Sequence, residues 1–176
     1  MKKVIEKSGL IELKLRDLSQ FFNSMDPSPF HEKDLDHDAE EFIVSWAQEY
    51  PSKEPLMLRI HLEQRSGDPS MIQQAVHNYF LYRKEILERE FRYLMKLART
   101  SLLIGAIFLG MCLLAGNIIV SNFPFVWADF LKEGLTIAGW VAMWRPIQLY
   151  LYDWWPVYRQ INIYQRLGSM AVEIVS

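Results

Sequence analysis

The chain has 176 residues, of which 51% are hydrophobic and 23% are charged, and its formal net charge is −2. This length suits one domain with an appendage, and the near-neutral charge gives no reason to expect a nucleic acid as partner. Charge is unevenly distributed, since residues 1–100 hold 15 basic and 17 acidic side chains whereas residues 101–176 hold only 4 of each. So long a segment with so little charge argues against a wholly soluble or disordered protein.

Residues 1–68 have the pattern of a small β-α-β domain. Apolar and polar side chains alternate in residues 11–16, and leucine or isoleucine occupies every second position of residues 56–63, as in strands with one buried face. Between them, helical spacing predicts an amphipathic helix over residues 38–50, started by a capping box of Asp38 and Glu41. Its predicted buried face consists of Phe42, Ile43, Trp46, Ala47 and Tyr50. The order strand, helix, strand predicts a parallel right-handed crossover.

A single long helix is predicted to follow this domain. Asp68 and Pro69 fit a helix cap and a first helical position, and no proline or glycine occurs in residues 70–104. We therefore expect a stalk over residues 69–100 that continues into a first transmembrane helix over residues 101–120. These positions carry no charge and cover about 30 Å, the thickness of the hydrocarbon core of a bilayer. The stalk carries an apolar stripe of Val76, Phe80, Leu87, Phe91 and Leu94.

A second transmembrane helix is predicted over residues 129–150, after an external turn over residues 121–128. The uncharged run of residues 134–144 is too short to cross a bilayer alone, so the charged side chains that flank it are expected near the two interfaces. These membrane-depth charges are Asp129, Lys132 and Glu133 at one end and Arg145 at the other. Arg145 can reach a headgroup phosphate or Asp153. Pro146 is expected to kink or end the span, leaving residues 151–176 as an interfacial aromatic segment and cytoplasmic tail.

Aromatic and basic side chains predict how this hairpin sits in a bilayer. Five of the six tryptophans lie in the second half as interfacial anchors, namely Trp127, Trp140, Trp144, Trp154 and Trp155. The stretch before the first span carries Arg89, Arg92, Lys96 and Arg99, which we expect to contact lipid headgroups. Because the connection between the spans offers only Lys132, the positive-inside rule places both termini in the cytoplasm. The predicted fold class is a membrane α+β protein, in which a long continuous helix joins a transmembrane helical hairpin to a small N-terminal cytoplasmic β-α-β domain.

Candidate chemistry in the sequence is sparse. Residues 34–45 match the first acidic positions of a calcium loop, but Ala39 and Ser45 stand where glycine and glutamate are required. A looser metal site of His31, Asp34 and His37 stays open, against the alternative that acidic residues here favour a helix N-terminus. The single cysteine, Cys112, allows no intramolecular disulfide. The sequence contains neither a recognisable nucleophile setting nor a phosphate-binding glycine loop, so we expect no enzyme and no cofactor.

Two segments, residues 26–47 and residues 139–160, resemble a group of uncharacterised small bacterial inner-membrane proteins with two transmembrane helices. The resemblance extends over most of the chain. It implies a multi-pass protein of the bacterial inner membrane, and it implies neither an activity nor catalytic residues.

Three functions agree with these features. The first is a scaffold or interaction protein that self-associates through its domain and stalk. A homo-oligomer would complete the marginal two-stranded sheet and cover the stalk stripe, whereas packing of the stripe within one chain is the alternative. Residues 26–68 hold 11 acidic and 4 basic side chains and would suit a basic protein partner.

The second function is an oligomeric ion channel or transporter component with rings of Asp129 or Glu133. The third is a membrane-tethered metal or ligand sensor around His31 and His37.

Overall fold

The computed structural model describes residues 9–29, 33–63, 68–122 and 125–175. It is mostly helical, with a small parallel sheet. The strands are β1 (Gly9–Leu15), β2 (Leu56–Leu62) and β3 (Ala171–Val175), and the helices are α1 (His37–Glu49), α2 (Pro69–Asn122), α3 (Ala128–Gln148) and α4 (Trp154–Leu167). A π-helical turn, Leu149–Asp153, joins α3 to α4.

The sheet has the strand order β1-β2-β3, and both strand pairs are parallel. β1 and β2 flank α1 in the chain and form the predicted β-α-β arrangement, with Ile11 opposite Leu58 and Leu13 opposite Ile60. The alternation predicted for the second strand is confirmed, since its apolar residues Leu56, Leu58, Ile60 and Leu62 are all buried.

The third strand comes from the C-terminal segment, where the sequence predicts an interfacial segment and a tail. In the structure, α4 and β3 occupy most of residues 151–176. β3 pairs with β2, with Met57 opposite Ala171 and Ile60 opposite Ile174. A strand of five residues with Glu173 at its centre is too short for alternation to distinguish it from a tail. The sheet is therefore built from chain segments on both sides of residues 89–158.

The chain forms two compact units. The α/β unit comprises the described residues of 9–88 and 159–175, and the helical unit comprises those of 89–158. Large side chains that are fully buried in the α/β unit include Ile11, Phe21, Ile43, Leu58, Ile60, Ile72, Phe80 and Leu167. From the stalk stripe, Val76 and Phe80 belong to this core and Leu87 packs against it. This part of the stripe is therefore covered within the chain.

Helix α2 runs without interruption for 54 residues, about 81 Å at 1.5 Å per residue. The prediction of one continuous helix that leaves the domain and runs into an apolar stretch is confirmed. Among the described residues, α2 is the helix whose length and composition suit a membrane crossing.

Helices α2 and α3 pack against each other inside the helical unit, and three glycines mark the contact. A Cβ atom would lie 3.1 Å from the Ala142 carbonyl oxygen at Gly105, 2.7 Å from Leu109 Cδ1 at Gly139, and 3.0 Å from Lys132 Cγ at Gly116. Position 105 meets the later part of α3 and position 116 meets its start, so the two helices are antiparallel. The absence of side chains at these positions lets the backbones approach closely.

Pro146 lies inside α3 and is buried, two residues before the helix ends at Gln148. Because proline has no N–H group, the α-helical hydrogen bond to the carbonyl of Ala142 cannot form. The chain then passes into the π-helical turn Leu149–Asp153 and directly into α4. A change of helix type therefore follows Pro146, where the sequence predicts a kink or an end.

Candidate functional site

Helix α1 has a buried face and an exposed aromatic face. Ala39, Glu40, Ile43 and Ala47 are buried, whereas Phe42 and Trp46 are 37% and 41% exposed. The prediction that these two aromatic residues share the buried face is therefore wrong. Glu40 lies on the buried face of the helix, and Phe42 and Trp46 lie on its exposed face.

The two exposed aromatic rings contact each other, with their centroids 5.9 Å apart. Exposed carboxylates surround them. We call this surface the aromatic–acidic face, and it consists of Asp38, Glu41, Phe42, Trp46 and Glu49. Tryptophan is among the residue types that most often anchor protein interfaces. An aromatic pair within an acidic rim suits a partner surface that is apolar at its centre and basic around it.

A buried carboxylate fastens α1 to two other helices from its inner side. Glu40 Oε2 accepts a hydrogen bond of 2.6 Å from the Tyr79 hydroxyl of α2. Glu40 Oε1 accepts one of 2.7 Å from the Tyr164 hydroxyl of α4 and one of 2.9 Å from Arg83 Nε of α2. The Arg83 guanidinium carbon also lies 5.9 Å from the centroid of the Tyr164 ring. We call these four residues the Glu40 junction.

The junction keeps Glu40 ionised. Burial alone would raise the pKa of its carboxyl, but the hydrogen bonds from Tyr79 and Tyr164 and the charge of Arg83 outweigh that effect and lower the pKa below its usual value. Burial, followed by the bond to Glu40, raises the pKa of Tyr164 to about 12. Both carboxylate oxygens are engaged and the phenols stay protonated, so the junction joins helices and is poorly suited to proton transfer.

A second polar group ties the three strands together on the sheet face opposite the buried residues of β2. Arg59 lies directly between Glu12 and Glu173 in the strand register. Its Nη1 is 3.0 Å from Glu12 Oε1, and its Nε is 2.9 Å from Glu173 Oε2. The guanidinium therefore bridges β3 to the other edge of the sheet.

The predicted metal site is only partly described. His31 lies outside the described residues. The backbone N–H of Asp34 donates to Asp26 Oδ2 at 2.7 Å, and His37 is the first residue of α1. Among the described residues, no group of three histidine, cysteine or acidic side chains could hold a metal ion. The cap of α1 is Asp36, whose carboxylate accepts from the Asp38 N–H at 3.0 Å, and the predicted capping box at Asp38 is therefore wrong.

The predicted membrane-depth charges lie towards the two ends of α3. Asp129 is in the first turn, Glu133 is exposed, and Lys132 packs beside Gly116. At the other end, Arg145 Nη1 lies 3.3 Å from Asp153 Oδ2. The structure thus brings Arg145 to one of its two expected partners.

The predicted anchors and headgroup contacts are mostly exposed. Trp127, Trp140, Trp144 and Trp155 are exposed, whereas Trp154 is partly buried and its Nε1 donates to the Tyr150 carbonyl at 2.8 Å. Arg89, Arg92, Lys96 and Arg99 are all exposed on α2. At 3.6 residues per turn these four positions lie within an arc of roughly 80°. They form one basic stripe along the helix, as their spacing in the sequence predicts for helical residues.

No family model matches the chain, and comparisons with curated proteins and with solved structures likewise give no match.

Proposed function

We propose that this chain is an integral membrane interaction protein, in which a two-span hairpin anchors the α/β unit at one surface of a bilayer. The pairing of β2 with β3 carries this proposal. Strands that precede and follow residues 89–158 hydrogen-bond in one sheet, so both must lie on the same side of any membrane. A chain that leaves through α2 would therefore have to cross back, and we assign the return to α3.

The dimensions and contacts of α3 support its role as the returning span. Its 21 residues measure about 31 Å, close to the thickness of the hydrocarbon core. Its charged side chains are confined to its two ends, and residues 134–144 carry none. Glycine contacts with α2 supply the close helix packing that membrane hairpins use.

The α/β unit faces the cytoplasm in this proposal. The basic stripe lies directly before the apolar part of α2, and basic residues near the ends of spans stay preferentially on the cytoplasmic side. The resemblance to small bacterial proteins favours the bacterial inner membrane as the location.

The aromatic–acidic face of α1 is the surface we assign to a partner, a protein with a basic and apolar patch. A second copy fits this face poorly, since a two-fold contact would bring like carboxylates together. The two needs that favoured a homo-oligomer are also largely met within the chain, because β3 completes the sheet and the core covers Val76 and Phe80. Self-association, the channel and the sensor stay predictions of the sequence.

Site-specific photocrosslinking from position 46 in native membranes tests the interaction. We expect an adduct with another polypeptide, whose identified contact surface is basic and whose yield falls with salt and with Phe42→Ala. The matched control places the photoreactive residue at Gln73, which is exposed on α2 and not on α1, and should give no such adduct. Adducts with a second copy alone, or a yield indifferent to salt and to Phe42→Ala, would contradict the assignment.

A further inference from the structure

A groove of about 370 Å³ lies between α2 and α3 in the helical unit. Its apolar walls include Gly105, Phe108, Ala142 and Pro146, and its polar groups come from Ser101 and Arg145. The walls begin where the uncharged part of α2 begins. The groove therefore combines an apolar trough with a hydroxyl and a guanidinium.

Two backbone features form this trough. Gly105 lines it and lets α3 approach closely, since a Cβ there would lie 3.1 Å from the Ala142 carbonyl oxygen. Pro146 adds a rigid apolar ring to the wall, directly before the π-helical turn Leu149–Asp153.

Arg145 is poised to bind an anion at this groove. Its side chain is 58% exposed, and its contact with Asp153 is 3.3 Å long, which exceeds the usual length of about 2.8 Å for a charge-assisted hydrogen bond. A guanidinium carries five N–H donors in a planar fork that matches phosphate oxygens. The contact with Asp153 is therefore one that a phosphate group can displace.

We propose that this groove binds one phospholipid with a net negative headgroup. The phosphate lies against Arg145 and the Ser101 hydroxyl, and an acyl chain follows the apolar wall past Phe108 and Ala142. Charge complementarity selects an anionic headgroup, because the charged side chain in the lining of the groove is the Arg145 guanidinium. The site rests on the proposed membrane insertion, and it adds a particular ligand to the anchor.

The apolar wall distinguishes a phospholipid from free phosphate. Inorganic phosphate would use the guanidinium and gain nothing from Phe108 or Ala142, whereas an acyl chain gains from burial against both. Asp153 gives the site a second signature. Its carboxylate competes with the phosphate for Arg145, so removal of the carboxylate and removal of the guanidinium should change lipid binding in opposite directions.

The test uses the full chain in nanodiscs of equal phosphatidylglycerol and phosphatidylcholine, with native mass spectrometry to identify the lipid retained on release. We expect one phosphatidylglycerol per chain and about tenfold lower retention in Arg145→Gln. Arg145→Lys should keep part of the retention, and Phe108→Ala should reduce it without changing the headgroup preference. Asp153→Asn should raise retention, whereas its matched control Asp129→Asn, at the far end of α3, should leave it unchanged. Arg159→Gln, which removes a cation outside the groove, should also leave it unchanged.

Three results would overturn the site. They are equal retention of the two lipids by the unaltered chain, equal loss in Arg145→Gln and Arg159→Gln, and competition by inorganic phosphate as effective as that by a short-chain phosphatidylglycerol. An alkaline carbonate wash of native membranes that contain the full chain separates this failure from that of the anchor. A chain released by carbonate overturns membrane insertion and the lipid site together, whereas a retained chain without headgroup preference overturns the lipid site alone.

Discussion

Glu40 is the residue whose role depends most on the three-dimensional structure. In the sequence it stands in a run of acidic residues that reads as a solvated helix start. In the structure it is buried and bonded to Tyr79 and Tyr164, which are 39 and 124 positions away. Local spacing carries no information about partners so distant, so the junction could not be predicted from the sequence.

Replacement of Glu40 should weaken the α/β unit. We expect Glu40→Gln to lower its free energy of unfolding by about 2 kcal/mol, because three hydrogen bonds to a charged acceptor lose that charge. Hydrogen exchange of the β2 amides in the detergent-solubilised full chain would measure the change. The matched control is Glu41→Gln, an exposed neighbour, which should shift stability by less than about 0.5 kcal/mol. Equal effects of the two substitutions would show that the junction does not stabilise the unit.

The same residue should make stability depend on pH. Since the pKa of Glu40 is lowered in the folded state, its contribution is present above the unfolded pKa of about 4.3 and is lost as the pH falls through the folded value. Pulse proteolysis with pepsin at decreasing pH should therefore show that stability declines less steeply in Glu40→Gln than in the unaltered chain. A decline in stability of the same slope in Glu40→Gln and in the unaltered chain would count against the assigned pKa shift of Glu40.

At the alkaline end, the pKa of Tyr164 is raised to about 12 in the folded state. Its contribution to stability should therefore be lost as the pH rises from about 10 to about 12.

At the level of elements, long and regular patterns predicted the element correctly, whereas short patterns and apolar residues on an exposed face did not. The alternation in β2 and the long interval without proline or glycine predicted the central strand and α2. The buried face of α1 was misplaced because Phe42 and Trp46 are apolar yet exposed, so hydrophobicity alone assigned them to the core. β3 was missed because a segment of only five residues with a charged residue at its centre resembles a tail.

Close packing of α2 and α3 depends on Gly139. A Cβ there would lie 2.7 Å from Leu109 Cδ1 and 3.2 Å from Leu109 Cα, so Gly139→Leu should destabilise the helical unit by about 2 kcal/mol through overpacking. Gly134→Leu in the same helix is the matched control, since nothing lies within 4 Å of its Cβ. Thermal unfolding in detergent, followed by tryptophan fluorescence, should show a lower midpoint only for Gly139→Leu. If both variants melt together with the unaltered chain, the helices do not pack as described.

At the scale of the whole molecule, the sequence predicted that a domain of mixed polar and apolar composition is followed in the chain by an apolar segment. The structure shows that residues 89–158 interrupt the α/β unit, whose last helix and strand follow them in the chain. Composition along the chain cannot reveal this arrangement, because it depends on which strands pair. Strand pairing is also the observation from which we propose an even number of crossings.

In the proposed arrangement, residues on both sides of the hairpin share one side of the membrane while its turn lies on the other. Single cysteines at Met25, Val126 and Gln165, all exposed positions, test this in a Cys112→Ala background with a membrane-impermeant maleimide on right-side-out vesicles. We predict that Val126→Cys is labelled in intact vesicles, and that Met25→Cys and Gln165→Cys are labelled only after permeabilisation. Labelling of Met25→Cys and Gln165→Cys from opposite sides, or of all three from the same side, would contradict the proposed arrangement.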